Sequence, residues 1–283
     1  TIPAGWKSKR ILLYLERPHF ETRVWVDNIE VGKDSSLCVP HTFNLSKYLV
    51  PGKHSITIRI DNRLKEYNVG QDSHSVTDQT QGNCNGIVGK ISLIQSENVN
   101  IDNVQIYPDI QTRKALVKFD VVNSTGKNVK AIIGMQAKSF NTDKNHITKA
   151  ITKPVTIPTG KSVYEVELDM GEEMLTWDEF APALYDLETR LISGSKELDK
   201  RETTFGMREI SINGKWFYLN GRKIQLRGTV ENCCFPLTGY APMDVDSWVR
   251  VFRICKKYGL NHMRFHSYCP PEAAFIAADS LGF

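Results

Sequence analysis

From residue 1 to about 205 the chain alternates apolar and polar side chains with a period of two, and beyond about 206 it stops doing so. Arg10–Leu15, Thr22–Asp27, His54–Asn62, Ile87–Gln95, Leu116–Asn123, Val129–Phe140, Val163–Asp169 and Leu184–Ile192 are β-rich runs bounded by turn residues. Ile56, Ile58 and Ile60 point one way while Thr57 and Arg59 point the other, and Tyr164, Val166 and Leu168 alternate with Glu165 and Glu167. Strands at this spacing, with no helices between them, predict antiparallel sandwiches and not βαβ units. Two hundred residues is about twice what one sandwich of ~100 residues needs. The polar stretch Ser96–Asn100, ahead of a fresh strand at Ile101, supplies a break. Two β-sandwiches, 1–97 and 98–206, are therefore expected.

The pattern changes after residue 206. Lys215–Leu219 and Lys223–Arg227 flank Asn220-Gly221, a hairpin signal because a type I′ turn needs positive φ at both central positions. A helix follows, with Asp244 and Asp246 at its N-terminal end and Val245, Trp248, Val249, Phe252 and Cys255 on one face. Lys256 and Lys257 fall in its last turn and Gly259 at C′. Leu260–Phe265 reads as a short apolar strand, and Pro270-Pro271 opens a second helix over Glu272–Ser280. Strand, helix, strand, helix is the opening of a parallel α/β domain, and two βα units cannot cover both faces of a parallel sheet. The tail, 207–283, is expected to be part of a larger domain. The start at Thr1 and the end at Leu281-Gly282-Phe283, straight after a helix-like run, add to the expectation of an excised piece.

Composition excludes little. With 283 residues, 41% apolar and 24% charged, the chain can build more than one core, and a net charge of +4 without a dense basic tract makes nucleic acid a poor partner. No run approaches the ~18 apolar residues of a membrane span. The first residues lack a signal peptide, so location stays unknown; a removed leader would place the protein in the periplasm or outside the cell. Cys38, Cys84, Cys233, Cys234, Cys255 and Cys269 match no CxxC framework and are read first as buried thiols. A cluster of Cys234, His266 and Cys269 around a metal is disfavoured by irregular spacing.

The motifs GxGxxG, GxxxxGK[ST], HExxH and GxSxG are absent. The polar residues of interest are Arg227 to Asn232 and Asn261 to Tyr268, at the ends of the two C-terminal strands. In a (β/α)8 barrel that end carries the active face, which favours Arg264, His266, Glu231 and Asn232 as substrate-binding residues. Glu231 has a plainer alternative, pairing with Arg227 or Arg264 to hold the strand ends, and His262, inside its strand, is expected to pack. Trp6, Phe20, Trp25 and Tyr48 are expected in the core before any sugar-stacking role. Asn44-Leu45-Ser46 and Asn123-Ser124-Thr125 fit the short glycosylation triplet.

Phe205-Gly206-Met207-Arg208, Phe217-Tyr218-Leu219-Asn220-Gly221 and Leu226-Arg227-Gly228 resemble the join between sandwich and barrel in glycoside hydrolase family 2, which includes β-galactosidases, β-glucuronidases and β-mannosidases. Trp177 through Pro182 to Leu184-Tyr185-Asp186-Leu187 resembles that family's W-x-P-x-x-P-x-L-Y-x-L strand, with Glu179 where the first proline usually stands. Tyr258 to Arg264 resembles the G-x-N-x-x-R strand. Leu15-Glu16-Arg17, Pro40-His41, Pro51 to His54, Ile60-Asp61-Asn62 and Asn85-Gly86-Ile87 resemble its jelly-roll domain.

The resemblance implies a mainly β chain: a jelly-roll, galactose-binding-like sandwich (1–97), an immunoglobulin-like β-sandwich (98–206), and the first βα units of a truncated (β/α)8 barrel (207–283). It implies retaining hydrolysis of a β-glycosidic bond by two glutamates held ~5–5.5 Å apart. In the family both lie on later barrel strands, so no catalytic residue is assigned here and the chain alone is expected to be inactive. Arg264 resembles the arginine lining the sugar subsite. His266 sits one place early relative to the family's Ser-His-Tyr-Pro, and Val230-Glu231-Asn232 replaces its Asn-x-His, which points to a different specificity. Carbohydrate is the expected partner, no cofactor or metal is implied, and a homo-oligomer is left open. The alternatives are a non-catalytic carbohydrate-binding protein and a structural β-sandwich protein. Sugar binding by residues 1–97 alone would favour the first, and light scattering on the isolated pair of sandwiches addresses the second.

Overall fold

The computed structural model describes residues 1–36, 39–63, 85–266 and 268–283. Its strands are β1 (Arg10–His19), β2 (Glu21–Val26), β3 (Ile29–Ser35), β4 (His41–Asn44), β5 (Ile56–Asp61), β6 (Gly86–Ser96), β7 (Val99–Asp109), β8 (Lys114–Asn123), β9 (Val129–Phe140), β10 (Ile151–Ile157), β11 (Gly160–Asp169), β12 (Leu184–Ser193), β13 (Lys196–Phe205), β14 (Ile210–Asn213), β15 (Trp216–Leu219), β16 (Arg222–Ile224), β17 (Gly228–Glu231) and β18 (His262–Phe265). The helices are α1 (Val245–Lys257) and α2 (Glu272–Leu281). The chain is mainly β, as the alternation predicts. Two compact units divide it: Thr1–Ser96 with Gly228–Ile254 and His262–Ala277, and Glu97–Arg227 with Cys255–Asn261 and Ala278–Phe283.

In the first unit, two three-stranded antiparallel sheets, β4-β1-β6 and β3-β2-β5, share one apolar core. Ile11, Leu13 and Leu15 of β1 face Val24 and Val26 of β2, with Phe43 and Leu45 beside them, all buried. Each such side chain contributes about 1.5–3 kcal/mol by leaving water, and a one-residue slip would turn a whole strand's set outward, so burial also fixes register. Trp6 and Tyr48 pack against this core and Phe20 is buried, in line with a packing role. The β2–β3 hairpin turns at Asp27-Asn28, whose φ values of 47 and 71° give the primed turn that suits twisted strands.

The second unit holds a four-stranded sheet, β10-β9-β12-β13, over a three-stranded one, β11-β8-β7. Its core runs from Ala115, Val117, Phe119 and Val121 of β8 to Ile133, Met135 and Ala137 of β9 and Leu187 and Leu191 of β12. Tyr185 stacks on Phe205 at 5.5 Å between centroids, and its hydroxyl accepts the Leu175 N–H at 2.8 Å. Asn123 is buried, and its amide donates to the carbonyls of Lys127 (2.8 Å) and Ile157 (3.0 Å), so the Asn123-Ser124-Thr125 triplet holds a turn. Three short strands, β14-β15-β16, follow, and Asn220-Gly221 makes the expected primed turn with φ of 51 and 75°. β17 and β18 then pair in parallel.

Candidate functional site

The parallel pair has the register Gly228↔His262, Val230↔Arg264 and Glu231↔Phe265. Gly228 is required where it stands, since a Cβ there would lie 2.5 Å from His262 Nδ1. In a parallel pair, opposed residues share a face and successive residues alternate, so Val230 and Arg264 share one side and Glu231 and Phe265 the other. The second side is packed. Trp248 of α1, fully buried, meets Phe265 edge-on at 5.7 Å, Phe252 at 5.7 Å and Phe235 at 6.1 Å, while its indole N–H donates to the Pro242 carbonyl at 2.7 Å. Asp244 starts α1 by accepting the Ser247 N–H at 2.8 Å, the capping expected of an acidic residue at that end. Gly259 lies beyond the end of α1 with φ of 75°, as its C′ position requires.

The four sequence-predicted residues therefore gather at the C-terminal end of β17–β18, on two different sides of it. Glu231 is half-buried. Its Oε1 accepts the Cys233 N–H at 2.8 Å and its Oε2 takes the Tyr268 hydroxyl, so its partners are these groups and not Arg227 or Arg264. Burial pushes its carboxyl above the usual range, against the lowering pull of the Cys233 and Cys234 N–H groups. The Glu231 carbonyl accepts the His266 N–H at 2.8 Å, which ties the two strand exits together. Arg264 and Asn232 are exposed.

Cysteine burial departs from expectation. Of the four described cysteines only Cys255 is buried, on the apolar face of α1, where burial raises its thiol. Cys234 and Cys269 are exposed because they lie in the segments after β17 and before α2, off any core face. Cys38, Cys84 and Ser267 fall outside the described residues. No group of three or more His, Cys, Asp or Glu side chains converges as a metal site among the described residues, and no helix there is long and apolar enough to cross a membrane.

Sequence reading marked Glu179 only as a departure from a proline, and missed what it does. In the second unit Glu179 Oε1 accepts Arg227 Nη2 at 3.0 Å and its Oε2 accepts Asn261 Nδ2 at 2.7 Å. Its carbonyl accepts Lys256 Nζ at 2.9 Å, and that ammonium also donates to the Leu281 carbonyl at 2.5 Å. Arg227 Nε reaches the Gly259 carbonyl at 2.7 Å, and Asn261 Oδ1 accepts the Arg227 N–H at 2.8 Å. The signal was in the sequence as a carboxylate in an otherwise apolar motif, together with the Arg and Asn that the same resemblance singled out.

Residues 99–208 match the sequence model of Glycosyl hydrolases family 2. The match covers less than half of the 283 residues, and over it the chain is similar to that family. Among curated relatives, a putative beta-glucuronidase of Formosa agariphila is 24% identical over 97% of this chain and 25% of its own length. A beta-galactosidase of Thermoanaerobacter pseudethanolicus is 24% identical over 98% of this chain and 36% of its own. The chain thus spans about a quarter to a third of the length of these relatives. Of solved structures, a beta-glucuronidase of Bacteroides uniformis superposes with a TM-score of 0.84 at 19% identity, over 100% of this chain and 34% of that one. A putative beta-galactosidase of Bacteroides fragilis gives 0.83 at 20%, over 99% and 42%. At these identities the superpositions establish a shared fold.

Proposed function

We propose that this chain is the N-terminal part of a retaining exo-β-glycosidase that hydrolyses O-glycosyl bonds in carbohydrate breakdown. In this proposal residues 1–97 form the jelly-roll domain, 98–206 the immunoglobulin-like sandwich, and 207–283 the first two βα units of a (β/α)8 barrel. The observation that carries it is the β17–β18 pair. A parallel sheet is stable with both faces covered, yet here Val230 on the Arg264 side is 51% exposed, and α2 leaves Phe275 and Ile276 51% and 48% exposed. Raw apolar surface around a two-stranded parallel sheet fits strands and helices that continue the barrel. Family relatives named as glucuronidases and galactosidases supply the reaction class.

In such a barrel the Val230–Arg264 side faces the interior, and its C-terminal end is the active face. Arg264 there offers a fixed positive charge and a planar fork of donors, suited to sugar hydroxyls or to the carboxylates that perform the chemistry. His266, Glu231 and Asn232 complete the sugar-binding end, with Glu231 held by Tyr268 and the Cys233 N–H. One glutamate protonates the leaving oxygen and the other attacks the anomeric carbon, and both belong to later strands. The test is hydrolysis of aryl β-glucuronides and β-galactosides by the protein extended through the remaining strands, beside residues 1–283 alone. Turnover by the longer form only, reduced at least tenfold by Arg264→Ala, is expected. A folded longer protein that cleaves nothing in a broad glycoside panel overturns the proposal.

A further inference from the structure

In the first unit, β1 and β6 fall out of step: Leu15 pairs with Ile91 and Arg17 with Val88, so Gly89 and Lys90 together stand opposite the single residue Glu16. A bulge of this kind re-aims a side chain, and such bulges gather beside binding sites. The local sequence is fitted to it. Gly89 has φ of 84°, and a Cβ there would lie 2.3 Å from Glu16 Oε2 and 2.6 Å from the Met243 methyl, so any side chain would strain the backbone and push both groups aside. Glu16 Oε2 accepts the Lys90 N–H at 2.7 Å, which fixes the carboxylate.

The carboxylate borders a cleft of about 450 Å³, whose far wall is the segment from Thr238 to Ser247. Small-molecule sites run from about 300 to 1,000 Å³ and combine apolar lining with a few placed polar groups. The wall is braced from within: Thr238 Oγ1 donates to the Tyr240 carbonyl at 2.7 Å and the Trp248 indole to the Pro242 carbonyl at 2.7 Å. Its lining brings together two carboxylates (Glu16 and Asp244), one ammonium-bearing residue (Lys90), a hydroxyl (Ser247), the 43% exposed ring of Tyr240 and the apolar Met243. Charges of both signs within one small cleft penalise a ligand of either net charge. A neutral pyranose has what these groups can satisfy together, hydroxyls that donate and accept around its rim and a C–H face that lies on an aromatic ring.

We propose that this cleft binds one neutral pyranose unit of a glycan. The choice of ligand class rests on the glycosidase proposal; the cleft itself does not. Saturation-transfer NMR on residues 1–283 with methyl β-galactopyranoside, methyl β-glucopyranoside and glucuronate is the test. Both neutral glycosides are expected to bind in the millimolar range and more tightly than glucuronate. Tyr240→Ala, which alters an exposed ring, is expected to weaken them about tenfold, while Ile132→Ser in the second unit leaves them unchanged. Gly89→Ala, read alongside its circular dichroism, should abolish binding by displacing Glu16. No transfer from any probe, or transfer that Tyr240→Ala leaves intact, overturns the proposal. The measurement involves no turnover, so a longer protein that hydrolyses nothing would leave a positive result standing, and hydrolysis without binding here would sink the cleft alone.

Discussion

β8 and β17 are both strands with neighbours, and they meet water in opposite ways. Along β8 every second residue, from Ala115 through Val117, Phe119 and Val121 to Asn123, is buried, and β7 and β11 flank it on both edges. Among the described residues β17 has one neighbouring strand; it is four residues long, and Val230 is half in water. The two-sheet sandwich closes on itself: each sheet covers the other's apolar face, and the outer faces are polar. A parallel pair has no such partner within its own sheet and depends on what surrounds it. The same chain therefore contains a finished layer structure and an open one.

The largest effect expected from this contrast lies in one pair of substitutions. Phe119→Ala removes a fully buried ring and should cost about 3–5 kcal/mol. Val230→Ser, on the exposed side of β17, should stay within about ±0.5 kcal/mol in residues 1–283, yet destabilise a protein whose further strands cover that face. Denaturant titration of both variants in both lengths measures it. If Val230→Ser proves as costly in the 283-residue chain as a core change, the open description of β17 is wrong.

Acid should separate the two units next. Burial holds His19 neutral, with help from Arg17, and lowers its pKa from 6.5 to about 4. Among the described residues its Nδ1 has no hydrogen-bond partner, and burial lowers the pKa of His41 as well. Above pH 6.5 His19 is neutral in folded and unfolded chains alike. As pH falls from 6.5 towards 4 the unfolded chain binds a proton that the folded one refuses, so up to about 3 kcal/mol is lost in that window. In the second unit the marked shift is also downward but has another cause and a lower window: hydrogen bonds from Arg190 and Lys200 hold Glu188 at about 2, so what it contributes is lost only between about 4.5 and 2. Hydrogen exchange at pH 7, 5 and 4 should show the first sandwich loosening before the second. His19→Leu should flatten that slope, and equal protection of both sandwiches at pH 4 would refute the assignment.

Every central strand was legible from sequence, as were the edge strands β5, β6 and β11, and the strands that were missed lie at edges. β3, β4, β10, β13 and β14, which the alternation did not mark, each lie at the edge of a sheet. Edge strands carry charge or proline that blunts further pairing and also masks period-two patterning, as in Lys196–Phe205 of β13 and Pro154 in β10. The Asn220-Gly221 turn announced itself by residue type; Asp27-Asn28 makes an equivalent turn without the glycine that signals it. At the candidate site, the strand ends and their polar residues could be placed by position, whereas the partners could not. Glu231 meeting Tyr268, and Arg227 meeting Glu179, depend on loop paths that periodicity does not encode.

Glu179 offers the smallest and sharpest test, because it asks whether the polar knot of the second unit does for that region what apolar burial does for the sandwiches. Its carboxylate is 19% exposed and accepts from Arg227 and Asn261, while Lys256 sits on its carbonyl with an ammonium that burial pulls below the usual lysine range. Glu179→Gln keeps the shape and presents an N–H to a donor where the carboxylate presented an acceptor. Hydrogen bonds to charged groups are worth about 1.5–3 kcal/mol, and the half-exposed Arg227 shares its charge with water, so a loss of about 1–2 kcal/mol is expected. High salt should shrink the difference between the parent and the variant, since part of it is Coulombic. A Glu179→Gln variant within about 0.5 kcal/mol of the parent at low and high salt would mean that the knot merely decorates a junction held by other contacts.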